Sequence, residues 1–537
     1  MTTSGAGLYA QVAELARSRP DATALVPGRR NGSGQSISYA RLSAGCHAVA
    51  EALRAAGVRR GHKAVTMTRG PYELVAVAYG LLAIGAVPVL LEPGMPGARL
   101  RACLDDVAPE VFVGEPLAHM GLRALRWAPG HVRTPLVTRR ALLPGLGRRL
   151  PVAVPDVGGP ALEAPEPDPE DLAIIAFTSG STGVPKGAEY RCGTLAGQVD
   201  ALRPVLAPDP GGVLLSGFLP IALLGPALGL TTLCPAVNHL APARTPPERV
   251  LRPLLAHRAS VVAASPAVLG LLAGHCAHHG LTLPSVDRVL AFGAPLRARL
   301  ADTLHSVLRP DAQVLSVYGA TECLPVSAVT TRELHALRND ADMPHRGTCV
   351  GRVVPGVEVR VLEADATGVG EIAVAGRNVS PAYHARPQAT ADTKIAADCG
   401  LLHRTGDLGR LDDQGRLWFH GRTSQRVIGA ACVLNTEDIE TAADTAPGVR
   451  RSALVGVGPA GQQRAVLCAE LDGTAHRGRD RRTARAALRE VLDRHPQGHH
   501  IGSVLIHPRF PTDIRHNSKI DRERLAAWAA KRVRETT

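Results

Sequence analysis

Along the first 170 residues the spacing of apolar positions switches repeatedly between two periods. Leu8–Ser18 and Tyr39–Ala56 repeat apolar residues at helical spacing, whereas Lys63–Met67 reads as a strand. Tyr72–Ile84 is an apolar helix, Val87–Leu91 a strand, and Pro109–Val113 leads into another. Such alternation predicts a parallel sheet covered by helices. Pro151–Glu170, rich in Pro, Gly and acid, reads as a loop delivering the chain to Leu172–Phe177, a buried strand. Thr194–Arg203 follows as a helix stopped by Pro204, and Val213–Leu219 as a strand. Ser260–Ala264, Arg288–Phe292 and Gln313–Val317 are three more strands with helices between them.

From Gly351 the pattern becomes β-rich, in Glu358–Leu362, Gly370–Ala375 and Leu417–His420, and Gly421-Arg422 ends it. After Ser424 the composition turns to a compact α/β tail. The expected fold class is α/β. A large N-terminal domain of parallel α/β sheets, with a β-rich subdomain, spans residues 1–423; a small mobile C-terminal α+β domain spans 424–537.

Composition narrows the function classes. The net charge of +13 raises nucleic acid as a partner, but the basic residues are spread along the chain without aromatic interleaving. They read as a solvated surface, and no nucleic-acid partner is expected. Leu74–Leu91 is broken by Gly85 and Pro88, and Gly211–Leu240 by Pro220, Gly225, Pro226 and Pro235. Both therefore read as helix–turn–strand pieces of a core, not membrane spans. The ten cysteines show no C-x-x-C pair and the N-terminus no secretory pattern, so buried thiols in a cytoplasmic protein are expected. Only five lysines occur: Lys63, Lys186, Lys394, Lys519 and Lys531. Where such an Arg-biased chain keeps Lys, as at Lys186 and Lys519, a compact movable ammonium is the property needed.

The chemistry centres on Thr178-Ser-Gly-Ser-Thr-Gly-Val-Pro-Lys-Gly187. A strand entering Ser179, Gly180, Ser181, Thr182 and Gly183 offers backbone N–H groups and hydroxyls to phosphate oxygens, with Lys186 as a point charge. Val184 and Pro185 stand between the last loop Gly and the Lys, so the P-loop pattern is not met. The competing reading, a surface linker, conflicts with the buried strand before it and the Pro-fixed Lys. Later strands end in small-residue turns, Gly293-Ala294-Pro295 and Tyr318-Gly319-Ala320-Thr321-Glu322, where doubly wound sheets gather ligands. Glu322 is either a Mg²⁺ ligand or an acid at a helix N-terminus. The charge-free stretch Pro220–Gly229 is either plain core or the wall of an apolar pocket. Gly456–Gly461 matches G-x-G-x-x-G, but Pro459 and the following strand make it a hairpin turn. His275, His278 and His279, and likewise His495, His499 and His500, lack ligand partners at metal spacing.

With these motifs in order over nearly the whole length, the chain resembles the adenylate-forming superfamily of acyl-CoA synthetases, peptide-synthetase adenylation domains and luciferases. Thr405-Gly-Asp-Leu408, Gly421-Arg422 and Lys519 complete the pattern. The resemblance implies that Thr178–Gly183 and Lys186 hold the ATP phosphates, and that Gly293–Pro295 and Tyr318–Thr321 line adenine and acyl group. Glu322 would bind Mg²⁺, Asp407 with Arg422 the ribose, and Lys519 would bridge carboxylate and α-phosphate. Lys519, Lys186 and Glu322 are thus the expected catalytic set. Leu219, Leu223, Leu224 and Gly225, with Gly293 and Ala320, would line the substrate pocket.

Departures from the pattern refine it. Ser424 replaces the hinge Asp, Ile428 a Lys, and Ala431 the loop Gly that admits a pantetheine thiol, unless the register shifts so that Gly429 takes that place. Together with Tyr190, Gln198, Gly225–Gly229, Glu322–Val326 and Asp513–Asn517, they resemble the β-lactone synthetases of olefin pathways. That branch implies adenylation of a 2-alkyl-3-hydroxy acid, then ring closure by its own hydroxyl. ATP and Mg²⁺ are the expected cofactors, coenzyme A is not expected to be used, and association with neighbouring pathway enzymes is possible. The alternatives are an acyl-CoA or acyl-carrier-protein ligase of the same fold, and a catalytically silent nucleotide-binding subunit, which the retained Lys519, Glu322 and Asp407 argue against.

Overall fold

The computed structural model describes residues 7–534, apart from 30–31, 69, 92–94, 126, 128–129, 140–144, 161–166, 178–184, 208, 210, 239–240, 339–346, 473–477 and 513–519. The chain divides into two compact units. The first contains residues 1–326, 354–357 and 375–403; the second contains 327–353, 358–374 and 404–537.

Two sheets build the first unit. In one, Gln313–Ala320, Arg288–Phe292, Val261–Ala264, Val213–Ser216, Thr231–Cys234 and Thr23–Arg29 lie side by side, all parallel. Their short, nearly unbroken apolar runs suit strands covered on both faces. The helices Glu248–Ala256, Pro266–His278 and Ala298–Val307 bury Leu254, Leu269, Leu272 and Leu304 against Val262, Val289 and Val314. In the other sheet Leu172–Phe177, Val87–Leu90, Lys63–Met67, Val111–Gly114 and Thr134–Val137 run parallel, while Gly187–Arg191 returns antiparallel beside Leu172–Phe177.

Most expected elements form, and three differ for local reasons. Pro204 does not stop its helix, which runs Cys192–Leu206 and ends at a left-handed Ala207. A proline in the final turn removes one bond, and the buried Val205 and Leu206 carry the helix past it. The strand expected to reach Leu219 ends at Ser216, because Leu219 begins the helix Leu219–Ala227 with Pro220 in its first turn. Finally, Tyr318–Ala320 belong to a strand, and only Thr321 and Glu322 turn before the strand Cys323–Thr330. Glu322 therefore does not stand at a helix N-terminus, and that reading is withdrawn. The segment Gly456–Gly461 is, as expected, the turn of a hairpin between Val449–Val457 and Arg464–Leu471.

The second unit holds most of a β-rich layer whose strands run in the order Val357–Leu362, Gly370–Gly376, Gly400–Leu411, Arg416–Arg422, Thr348–Val353. The C-terminal part is a sheet of Val449–Val457, Arg464–Leu471 and Ile501–Ile506 with three helices. Alternate residues of Arg464–Leu471 face opposite ways. Ala465, Leu467 and Ala469 pack with Leu488 and Leu492 of Gly478–Arg494, while Val466 and Cys468 pack with Leu525 and Ala529 of Arg522–Arg534. The strand is therefore apolar on both faces. The boundary expected at Ser424 falls inside this unit, between Arg416–Arg422 and the helix Thr436–Ala443. Polar contacts span it: the buried His420 Nδ1 lies 2.6 Å from Asp438 Oδ1, and the half-buried Thr348 hydroxyl donates to Glu437 Oε1 at 2.7 Å.

Eight of the ten cysteines are buried and none is bonded to another. Among the described residues no helix is long and apolar enough to cross a membrane.

Candidate active site

The predicted site residues fall into two groups, one in each unit. In the first, Gly187 pairs with Phe177, so the strand Leu172–Phe177 is followed at Gly187 by an antiparallel strand. A Cβ on Gly187 would stand 2.8 Å from Ile175 Cγ2 and 3.0 Å from Phe177 Cζ, so a larger residue there would have to displace those two side chains. Thr178, Ser179, Gly180, Ser181, Thr182 and Gly183 lie outside the described residues. Lys186 lies inside them, its ammonium 5.0 Å from the centroid of the Tyr383 ring.

Tyr383 comes from a segment nearly two hundred residues further on, laced between the hairpin and the turn at Glu322. Glu189 N donates to Ala382 O (2.9 Å), His384 N to Gly187 O (2.8 Å) and Ser380 N to Glu322 O (2.8 Å). Glu189 Oε1 also meets His384 Nδ1 at 2.7 Å, an interaction that lowers the Glu189 pKa. Fixed in this way, the Tyr383 hydroxyl donates to Glu322 Oε1 at 2.5 Å. The Tyr190 hydroxyl, buried and hydrogen-bonded to Gln198, donates to the Thr321 carbonyl. Burial first, and then the nearby Glu322 charge, raise the Tyr190 pKa, so it stays a neutral donor.

Two buried groups join this cluster. Lys394 donates from Nζ to Ser380 O at 2.5 Å and stands 5.7 Å from the Tyr383 ring centroid. Burial pulls its ammonium down to about 8, against the attraction of Cys323 and Glu322. His403, only 2% exposed, is pushed down to about 4 by burial and then by the Lys394 charge. It is therefore a neutral imidazole at pH 7, and its Nδ1 has no hydrogen-bond partner among the described residues. Neither Tyr383 nor Lys394 was among the predicted site residues. The scarcity of lysine that marked Lys186 and Lys519 applied equally to Lys394.

Gly293-Ala294-Pro295 and Tyr318-Gly319-Ala320 end neighbouring parallel strands, with Phe292 opposite Val317. Gly293 takes the left-handed φ of +87° that releases the chain from its strand. Phe218 stacks on Phe292 with ring centroids 5.9 Å apart. Of the expected pocket residues, Leu223 and Leu224 are buried on the helix Leu219–Ala227, and the Leu223 carbonyl accepts the Tyr79 hydroxyl. Gly225 packs against Thr232, whose Oγ1 would lie 2.3 Å from an added Cβ. The side chain of Leu219 lies outside the described set.

The second group is Asp407 and Arg422, opposite each other on antiparallel strands, with Arg422 Nε 3.1 Å from Asp407 Oδ1. Asp407 is 5% exposed. The turn before it is set by Glu371, which accepts from Arg404 Nε (2.8 Å) and Gly406 N (3.1 Å). Lys519 lies outside the described residues.

Chemically, the first group offers the oriented Glu322 carboxylate, the Lys186 ammonium and the buried neutral Tyr190 hydroxyl. A single carboxylate fits Mg²⁺ when phosphate oxygens complete its shell, and the ammonium of Lys186 fits the phosphates themselves.

Residues 12–384 match the AMP-binding enzyme family. The olefin beta-lactone synthetase of Stenotrophomonas maltophilia (strain K279a) is 42% identical over 97% of this chain and 98% of its own. The protein of the same name from Xanthomonas campestris pv. campestris is 40% identical over 98% of each. Among solved structures, the amide bond synthetase McbA from Marinactinospora thermotolerans superposes with a TM-score of 0.78 at 24% identity, over 97% of this chain and 99% of that one. ATP-bound MatB from Rhodopseudomonas palustris gives 0.76 at 22%, over 98% and 99%. The last two carry the fold alone.

Proposed function

The chain belongs to the AMP-binding enzyme family, and from that premise we propose that it is an ATP-dependent β-lactone synthetase acting on 2-alkyl-3-hydroxy acids. The observation that carries this reading is the 40–42% identity, over almost all of both chains, with two proteins of that name.

The reaction runs in two steps. The substrate carboxylate attacks the α-phosphorus of ATP and pyrophosphate leaves, giving an acyl-AMP. The 3-hydroxyl oxygen of the same molecule then attacks the acyl carbon, its proton is lost, and AMP departs as the four-membered ring closes. In the first step two anions must meet. Lys186 and the backbone of Thr178–Gly183 would hold the β- and γ-phosphates, and Lys519 would lie between carboxylate and α-phosphate. Glu322 would hold Mg²⁺, which when bound offsets phosphate charge. Asp407 and Arg422 would take the ribose, and Gly293–Pro295 with Tyr318–Thr321 would line adenine and acyl group. Leu219, Leu223, Leu224, Gly225, Gly293 and Ala320 would wall the alkyl chain. Residues 424–537, carrying Lys519, would move about Ser424.

A tethered hydroxyl has a high effective concentration, so the second step needs no thiol. The hairpin of Val427–Ile428 and Val433–Leu434, closed by Gly429 N donating to Cys432 O at 2.9 Å, supports this. Its exposed tip carries Ala430 and Ala431, and in the register that sets Ala431 at the thiol-admitting position a methyl group stands there; in the other register Gly429 does.

The test is incubation with ATP, Mg²⁺ and a 2-alkyl-3-hydroxy acid, with and without coenzyme A. Equal yields of lactone and AMP in both arms are expected. A product that forms only with the thiol would make the protein a ligase to coenzyme A.

A further inference from the structure

The reading above gives Glu322 and Lys186 opposite charges and separate tasks. Left adjacent, an ammonium and a carboxylate attract and pair, and each then occupies the other. Tyr383 touches both. Its hydroxyl donates to Glu322 Oε1 at 2.5 Å, while its ring attracts Lys186 Nζ, 5.0 Å from the centroid.

The ring is firmly held. It is 6% exposed, its backbone forms a bridge with Ala188, and Tyr383 N donates to Thr390 Oγ1 at 3.0 Å. Lys394 Nζ, on a side chain 8% exposed, stands 5.7 Å from the ring centroid and donates to Ser380 O. Ser380 N in turn donates to Glu322 O, so Lys394 reaches the same carboxylate-bearing turn through backbone.

We propose that Tyr383, backed by Lys394, is a positioning residue that keeps Glu322 aimed at the divalent cation and Lys186 free for phosphate. This rests on the roles given to Glu322 and Lys186 above. A phenol hydrogen-bonded to a carboxylate fixes where that carboxylate points without supplying a competing charge. An aromatic face holds an ammonium loosely enough for phosphate to claim it.

The experiment compares the full chain with Tyr383→Phe, Tyr383→Leu and Lys394→Met. Mn²⁺ binding in the presence of an unreactive ATP analogue is read by electron paramagnetic resonance, alongside the Mg²⁺ and ATP dependence of pyrophosphate release. Loss of a hydrogen bond to a charged group predicts about a tenfold weaker metal half-saturation for Tyr383→Phe, with the ATP KM unchanged. Lys394→Met moves the metal curve the same way by about twofold to threefold, and Tyr383→Leu adds a rise in ATP KM. A folded Tyr383→Phe whose Mn²⁺ curve overlays the wild type overturns the inference. Equal shifts in metal half-saturation and ATP KM for Tyr383→Phe overturn it as well, because general damage moves both. If the wild type forms no acyl-AMP the proposed reaction fails, while the Mn²⁺ titration still decides the role of Tyr383.

Discussion

Asp407 and Arg422 oppose each other across one rung of an antiparallel pair, with Arg422 Nε 3.1 Å from Asp407 Oδ1. A buried carboxylate held by a half-exposed guanidinium is prepared to accept hydroxyl groups. Asp407→Ala is expected to raise the ATP KM about tenfold or more, a loss of at least about 1.4 kcal/mol. The specific check uses 2′-deoxy-ATP. The wild type should discriminate against it, and the variant should not; unchanged discrimination would show that Asp407 does not bind ribose.

Lys519→Ala is expected to abolish acyl-AMP formation while leaving ATP binding largely intact, since the lysine is assigned to the step and not to the nucleotide pocket. Pyrophosphate exchange and equilibrium ATP binding, measured on the same preparation, separate the two. Exchange at the wild-type rate would sink the assignment.

Glu437 sets a pH dependence of stability. Burial, and then the neighbouring Glu440 charge, raise its carboxyl from 4.5 to about 7, although the Thr348 hydroxyl donates to it. Between these values the folded chain binds the proton that the unfolded chain releases, so this group makes stability fall as pH rises from 4.5 to about 7. Glu437→Gln should flatten that part of the profile and raise the melting temperature at pH 8 by a few degrees. Parallel melting curves for variant and wild type across this range would refute the assignment.

Asp412 acts in the opposite sense. Burial favours its neutral form, yet hydrogen bonds from Trp418 Nε1 (2.8 Å), Arg416 N (2.9 Å) and Arg416 Nε (2.7 Å) prevail and hold the carboxyl down to about 2. Its stabilisation is therefore full above the ordinary carboxylate range and is lost as pH falls toward 2. Asp412→Ala leaves the buried Trp418 N–H without this acceptor and should cost about 2–3 kcal/mol by urea unfolding at pH 7.

The strands Arg288–Phe292 and Gln313–Val317 were legible because buried parallel strands are short apolar runs bounded by turn residues, here Gly293 and Gly319. Boundaries were less legible where proline sits near a helix end. Pro204 reads as a stop and Pro220 as a break, yet one lies within a last turn and the other within a first. Glu322 was found by its motif, but local sequence left its structural context open, and only the pairing of Cys323–Thr330 as a strand shows that it occupies a turn. Tyr383 and Lys394 escaped because their relevance is wholly tertiary. Residues 380–384 reach the glycine-loop hairpin through backbone bonds that no spacing rule anticipates.

The polar joint across Ser424 bears on whether the C-terminal segment has to move between the two steps. Any swing of the C-terminal segment has to part His420 from Asp438 and Thr348 from Glu437, and to expose the buried imidazole and carboxylate of the first pair. An intramolecular ring closure has no outside thiol to admit, so this joint need not open between adenylation and lactone formation.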